Sequence, residues 1–155
     1  MGCKLLAALS AFSIVSAFAA PTIYEAEDLP GASVAEGAEF SGGKYAKTAD
    51  PSGITFTVKV EETAVYDITT KVLIKQYDWT TSKIAVNGVD VGSMLTTPRN
   101  CDSSYVVSAS AKMKAGENKI TVGNQALGVD YITVERHPDA VFKISELPVT
   151  PNATE

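Results

Sequence analysis

The chain has 155 residues, a formal net charge of −5, 20% charged residues and 45% hydrophobic ones. This is enough for one globular domain with a real core, and the acidic balance argues against nucleic acid or an anionic membrane as main partner, since both reward basic patches. Two cysteines, Cys3 and Cys101, and a single histidine, His137, leave little for disulfide, zinc or nucleophilic chemistry.

In chain order, residues 1–19 read as a secretory signal peptide. Lys4 supplies a short positive region, Leu5 to Ala19 is nearly all apolar or small, and Ala17-Phe18-Ala19 fits the small-x-small cleavage rule. The apolar run is short for a membrane span, and Cys3 precedes it, where a lipid-anchor cysteine would not stand. Removing Lys4 takes the net charge from −5 to −6 and leaves Cys101 as the sole thiol. The secreted domain is then expected to lack an internal disulfide, and a structural metal is a usual substitute.

Residues 20–137 read as all-β. Ile54 to Val60 and Ala64 to Ile74 alternate with period two, and Lys83–Val86, Tyr105–Met113, Lys119–Val122 and Asp130–Glu135 are further strand candidates rich in Val, Ile, Thr and Tyr. Turns are expected at Asp50–Gly53, Asn87-Gly88, Ala115–Asn118 and Gly123-Asn124. No segment between Pro21 and Pro138 has a helical period, so a β-sandwich or barrel is expected. Residues 138–155 hold Pro138, Pro148 and Pro151 without periodicity and read as a linker or tail. Asn152-Ala153-Thr154 is formally a glycosylation sequon.

Two short blocks carry chemistry. In Tyr24-Glu25-Ala26-Glu27-Asp28, Glu25 and Glu27 alternate, so on an extended strand both carboxylates share a face. Such neighbours repel each other and lose hydration when partly buried, and a hard cation such as calcium removes both penalties. Together with Asp130 in Val129-Asp130-Tyr131-Ile132, they suggest first and last strands clamped by a metal. A solvated acidic strand edge is the other reading.

These blocks, with Ser41-Gly-Gly-Lys-Tyr45, Val86-Asn-Gly88 and Lys114-Ala-Gly-Glu-Asn-Lys-Ile120, resemble the carbohydrate-binding modules of families 35 and 6 over about residues 22–136. The resemblance implies a jelly-roll β-sandwich of the galactose-binding-domain-like type with a structural calcium. Glu25, Glu27 and Asp130 would supply side-chain ligands and Lys44 a backbone carbonyl. Gly42 and Gly43 suit a loop wrapping closely around an ion.

The resemblance also implies sugar binding, mainly at loops joining the two sheets. A sugar ring needs a flat aromatic face and a few polar groups for its hydroxyls. Trp79, the only tryptophan, stands in the polar stretch Gln76–Ser82; it reads as a sugar platform or as a cap on the core, with Tyr77 and Asp78 as helpers. Asn124 and Gln125 are amide candidates. The chain departs from the family pattern where many members carry a tryptophan, having Pro98–Ser104 instead. Arg99, Asn100 and Asp102 could contribute polar contacts there, although an exposed polar loop is the simpler reading, and Tyr105 could stand at the loop edge or inside. Gly128 stands where many members have an asparagine. Tyr45 and Tyr131 are expected in the core near the metal.

Catalysis finds little support. His137 sits beside Pro138 at the domain end, so no Ser-His-Asp or Cys-His pair is apparent, and Cys101 lacks a base. Glu25 and Glu27 are neighbours on one strand, not two carboxylates facing each other across a cleft. The sequence therefore points to a secreted, monomeric, non-catalytic module that binds polysaccharide or oligosaccharide, most plausibly a mannan- or xylan-type hemicellulose, for a covalently linked glycoside hydrolase. The rivals are a small glycan-active hydrolase on the same sandwich and an adhesion module that binds no sugar.

Overall fold

A computed structural model describes residues 20–48, 53–74, 80–96, 103–124 and 128–138. The expected signal peptide, the tail beyond Pro138, and Tyr77, Asp78, Trp79, Arg99, Asn100, Cys101 and Gln125 lie outside the described residues.

Among the described residues ten strands form two antiparallel sheets: β1 (Thr22–Glu25), β2 (Ser33–Glu36), β3 (Lys44–Lys47), β4 (Ile54–Val60), β5 (Ala64–Ile74), β6 (Thr80–Val86), β7 (Val89–Thr96), β8 (Ser103–Met113), β9 (Gly116–Asn124) and β10 (Gly128–Arg136). One sheet runs β2-β3-β10-β5-β8, with β1 also on β10, and the other runs β4-β9-β6-β7. The only helical element among the described residues is a single 3-10 turn, Ser41–Gly43.

The alternation seen in the sequence builds the core. On β4, Phe56, Val58 and Val60 are buried while Thr55, Thr57 and Lys59 are exposed. On β5, Tyr66, Ile68, Thr70 and Val72 are buried, and Tyr66, Ile68 and Val72 join Phe56, Ile84, Ile120 and Val122 of the other sheet in one cluster. Each such aliphatic side chain contributes roughly 1.5–3 kcal/mol by leaving water. Strand β5 is the spine of its sheet, pairing with β8 from Ala64↔Met113 to Ile74↔Ser103 and with β10 on its other side.

The turn at Asn87-Gly88 has positive φ at both residues, 51° and 83°, as a two-residue hairpin of primed type requires. It is braced by Asn118, which is buried: the Asn87 side-chain amide donates to Asn118 Oδ1 at 3.0 Å, and the Lys119 N–H donates to Asn87 Oδ1 at 2.9 Å. Asn118 therefore belongs to strand β9 rather than to the turn expected there, and Gly123 and Asn124 extend the same strand instead of turning.

Three strands escape the sequence pattern. β2 and β3 are four residues each, and β2 exposes Val34, so neither shows a buried alternation. In β7 a bulge shifts the register beside Gly92. A methyl group on Gly92 would come within 2.6 Å of the Ala109 Cβ on β8, so the glycine lets the edges of the two sheets meet closely. Strand β6 also begins at Thr80, earlier than expected.

At Gly128, where the resemblance would place an asparagine, an added Cβ would lie 2.3 Å from Cδ2 of Tyr45 and 3.0 Å from the Ala46 carbonyl oxygen. The Tyr45 ring fills the space a side chain at 128 would need. Gly128→Ala is therefore expected to destabilise the fold by about 1–3 kcal/mol, the usual cost of overpacking. Denaturant titration of both proteins checks this, and an unchanged midpoint would show that Tyr45 gives way freely.

Candidate metal centre

The site forms where strand β10 changes partners. Its first residues pair with β3 (Gly128↔Lys47, Val129↔Ala46), and from Tyr131 onward the same edge pairs with β1 (Tyr131↔Glu25 to Val134↔Thr22). On the other edge, Val129 faces Val72 of β5 and Ile132 faces Thr70, so β10 carries one extra residue over this step. Such a bulge re-aims a side chain. The Thr70 hydroxyl donates to the Tyr131 carbonyl at 2.8 Å, satisfying a bulge acceptor from a fully buried position.

Asp130 sits in this bulge and is fully buried. Its carbonyl accepts the Ala26 N–H at 2.8 Å, which carries the β1 ladder one residue past the strand end. Glu25 ends β1 and Glu27 lies in the turn that follows, so the two flank the buried Ala26 without both belonging to a regular strand. One carboxylate oxygen from each of Glu25, Glu27 and Asp130 falls within 4.8 Å of the others.

The loop at residues 37–43 closes the site. It is held by its own hydrogen bonds, Gly37 N–H to the Gly43 carbonyl at 3.0 Å and Gly43 N–H to the Phe40 carbonyl at 2.9 Å. Gly42 and Gly43 have φ of 58° and 73°, a left-handed path that suits glycine. The loop thereby presents Ser41, whose N–H donates to both Asp130 oxygens at 3.0 and 3.1 Å and whose hydroxyl donates to Glu25 Oε1 at 2.9 Å. From the other side Lys71 of β5 places Nζ 3.7 Å from Asp130 Oδ2.

Even so, the set is short of positive charge and of donors. Glu25 Oε2 and Glu27 Oε2 are buried with no hydrogen-bond partner, a condition that costs free energy in a folded protein. A buried, partnerless pair of carboxylate oxygens beside a third carboxylate is an arrangement suited to a hard metal cation. Lys44 is the first residue of β3, directly after the Ser41 loop, with its side chain exposed.

Sequence reasoning overlooked Ser41 and Lys71. Ser41 opens the Ser41-Gly-Gly-Lys-Tyr45 stretch, where a serine beside glycines reads as ordinary loop sequence. Lys71 stands between the buried Thr70 and Val72, so by alternation it reads as an ordinary solvent-facing lysine. Tyr45 and Tyr131, expected in the core, are half-buried beside the site instead and lie outside the central cluster; Tyr45 packs against Phe40 at a tilt of 49°, with ring centroids 4.7 Å apart.

The residues flanking the expected sugar-binding segments come together at one end of the sandwich. Ile74 pairs with Ser103, Thr80 with Thr96, Ser82 with Asn124, and Gly128 with Leu73 and Lys47. The connections at 75–79, 97–102 and 125–127 thus leave from neighbouring strand ends. Asn124 is the last residue of β9. Tyr105 of β8 pairs with Val72 of β5 and is half-buried against the core. At the opposite end a cleft of about 540 Å³ opens between β1, β4 and the end of β10, lined by Tyr24, Val58, Val60, Tyr66 and Arg136 among others. Its Glu62 is engaged by Arg136 in an ion pair.

No protein-family model matches the sequence, and no curated protein is detectably similar to it. Solved structures do share its architecture. A GH26-CBM35 β-(1,4)-mannanase from Podospora anserina superposes with a TM-score of 0.62 at 23% identity, over 78% of this chain and 28% of that one. A family 35 carbohydrate-binding module from Clostridium thermocellum superposes with a TM-score of 0.58 at 23% identity, over 75% of this chain and 98% of the module. The fold is that of a family 35 carbohydrate-binding module. A ruminal GH26 endo-β-1,4-mannanase gives 0.60 at 24% identity, over 88% of this chain and 30% of the mannanase. The chain thus spans less than a third of either mannanase but nearly all of the isolated module.

Burial pushes the Asp130 carboxyl above its ordinary value of 3.8, the Ser41 N–H and the Lys71 ammonium act against that push, and the Glu27 charge adds to it. In the metal-free protein the folded state then holds a proton on Asp130 at a pH where the unfolded chain does not. Its stability is expected to rise as pH falls from neutrality through that raised value, levelling off near 3.8 once the unfolded carboxyl also protonates. Asp67, lowered by its hydrogen bond from Ser110 and by His137, contributes stability above 3.8 that is lost only at lower pH, so it does not enter this window. Melting curves in EDTA from about pH 7 to about pH 4.5 should show the rise, and Asp130→Asn should remove it. A slope that persists in the variant would assign the effect to another group.

Proposed function

We propose that this chain is a secreted, calcium-stabilised carbohydrate-binding module of the family 35 type. It holds a plant cell-wall polysaccharide, of the mannan or xylan class, for a covalently linked glycoside hydrolase. The observation that carries the reading is the match of the sandwich to an isolated carbohydrate-binding module over 98% of that module's length. The mannanases that share the fold do so over 28% and 30% of their chains, which supports the picture of this sandwich as an accessory unit beside a catalytic one. Holding the polymer raises the local substrate concentration of such a partner.

The calcium assignment rests on the donor set. Glu25, Glu27 and Asp130 are hard oxygen ligands, two of their oxygens are buried without partners, and the Lys44 carbonyl is the further ligand that the family resemblance suggests. When bound, the ion would neutralise the carboxylates and tie the turn after β1 to the β10 bulge. The three carboxylates lie side by side, Asp130 buried and Glu25 and Glu27 half-buried, rather than facing each other across an open cleft, so they favour ion binding over a glycosidase acid–base pair. The sugar then belongs at the end of the sandwich from which the Trp79, Arg99 and Gln125 segments leave.

If calcium is present at about a hundred times its dissociation constant, it stabilises the fold by about 2.7 kcal/mol. At roughly 4 °C per kcal/mol for a domain of this size, EDTA should lower the melting temperature by about 10 °C, and added calcium should restore it. Differential scanning calorimetry reads this directly; coincident curves with and without chelator would remove the ion from the account.

Affinity electrophoresis against soluble mannans, xylans and galactans tests the binding reading. Retarded migration on at least one polymer is expected, with retardation lost in Trp79→Ala. Free migration on every glycan would favour the adhesion alternative, and reducing-sugar release would favour the hydrolase.

A further inference from the structure

We propose that Lys71 is a fixed counter-charge that sets the valence of the cation accepted by Glu25, Glu27 and Asp130. This inference rests on the cation reading of that cluster, and its test separates the two.

Lys71 stands on β5 at the step where β10 carries its extra residue, between Thr70↔Ile132 and Val72↔Val129. Its ammonium is held from three sides. Asp130 Oδ2 lies 3.7 Å away, the Glu39 carbonyl accepts a hydrogen bond from it, and the Phe40 ring centroid lies 4.9 Å from it. The Lys71 side chain is only 19% exposed and that of Asp130 is 0% exposed. A lysine confined in this way differs from a surface lysine, whose long stem swings freely and whose ion pair is worth little. Both Glu39 and Phe40 come from the loop that also presents Ser41, so the same segment positions the carboxylates and the ammonium.

A cation placed beside a metal site repels the metal, so Lys71 weakens binding unless it serves another end. Charge explains its place. Glu25, Glu27 and Asp130 bring three negative charges, and Lys71 offsets one of them. Ser41 adds donors but no charge. The two charges that remain match a divalent ion. Without Lys71 the cluster would carry three and would favour a trivalent ion. The ammonium also lessens repulsion among the carboxylates when no ion is bound, so the site stays assembled and ready.

The test uses the full chain and two probe ions, calcium and terbium, whose competition is read by terbium luminescence and calorimetry. In Lys71→Met the preference for terbium over calcium should rise at least about tenfold relative to the wild type, since a charge near the ion acts more strongly on the trivalent species. Lys71→Gln keeps a donor for the Glu39 carbonyl without the charge and should show the same shift, which guards against a Met variant that fails to fold. Lys71→Arg keeps the charge and should retain the wild-type ratio. In EDTA, Lys71→Gln should melt below the wild type. A terbium-to-calcium ratio in Lys71→Gln within twofold of the wild type, with both ions bound, would overturn the role of Lys71 and leave the calcium site intact. Binding of neither ion by the wild type would overturn the cation reading itself.

Discussion

One inserted residue in β10 governs much of this molecule. Strand β10 accepts β3 along Gly128 and Val129 and β1 along the four residues from Tyr131 to Val134, and the bulge against β5 falls where those partners meet. Asp130 lies at that point. Its carbonyl binds the turn after β1 through the Ala26 N–H, and its carboxylate binds the following loop through the Ser41 N–H. A single residue thus ties together the N-terminal strand, the C-terminal strand and the segment leading into β3. The bulge is itself braced from β5 by the buried Thr70 hydroxyl, which donates to the Tyr131 carbonyl.

The sheets and the site were legible in the sequence to different degrees, for physical reasons. Strands β4, β5, β8 and β10 pack one face on the core, and a half-buried strand writes that fact as period-two alternation. Strands β2 and β3 are short edge elements with little buried surface, so selection for a hydrophobic pattern is weak there. Strand β7 half-buries Val91 and Met94 against the core, but Gly92 and its bulge break the period. The turn at Asn87-Gly88 was readable because positive φ demands those residues. Asn118 was misread as a turn residue because the same amide chemistry that favours turns also braces a neighbouring turn from within a strand.

The carboxylates of the site were readable because three acids at the two ends of a domain have few reasons to converge. Ser41 and Lys71 were harder to find. A serine in a glycine-rich loop is ordinary sequence, and its role depends on the left-handed backbone of Gly42 and Gly43 turning its N–H toward Asp130. Lys71 has an outward parity on β5, and only the bulge on the adjacent strand brings Asp130 within reach of its ammonium. Periodicity in one strand carries no information about a register shift in its neighbour. That is why charge-bearing partners at a bulge escape a strand-by-strand reading.

On the proposed reading, placing three acids at this junction makes the stability of the fold conditional on the ion. An apolar cluster of the same volume would hold β1 to β10 without any cofactor, and replacing buried charges by apolar groups is often neutral or stabilising. The carboxylates do the opposite in isolation, because two of their oxygens are buried without partners. On the proposed reading, the free energy missing from this junction is supplied by the ion, so stability follows calcium concentration. The dependence is local. The inter-sheet core of Phe56, Ile68, Ile84 and Ile120 is complete without the site, whereas the turn after β1, the Ser41 loop and the start of β10 are held across it. Ion loss should therefore loosen that margin of the sheet before the core. Because Gly128 adjoins the same margin, on the proposed reading a bound ion would also steady the start of β10.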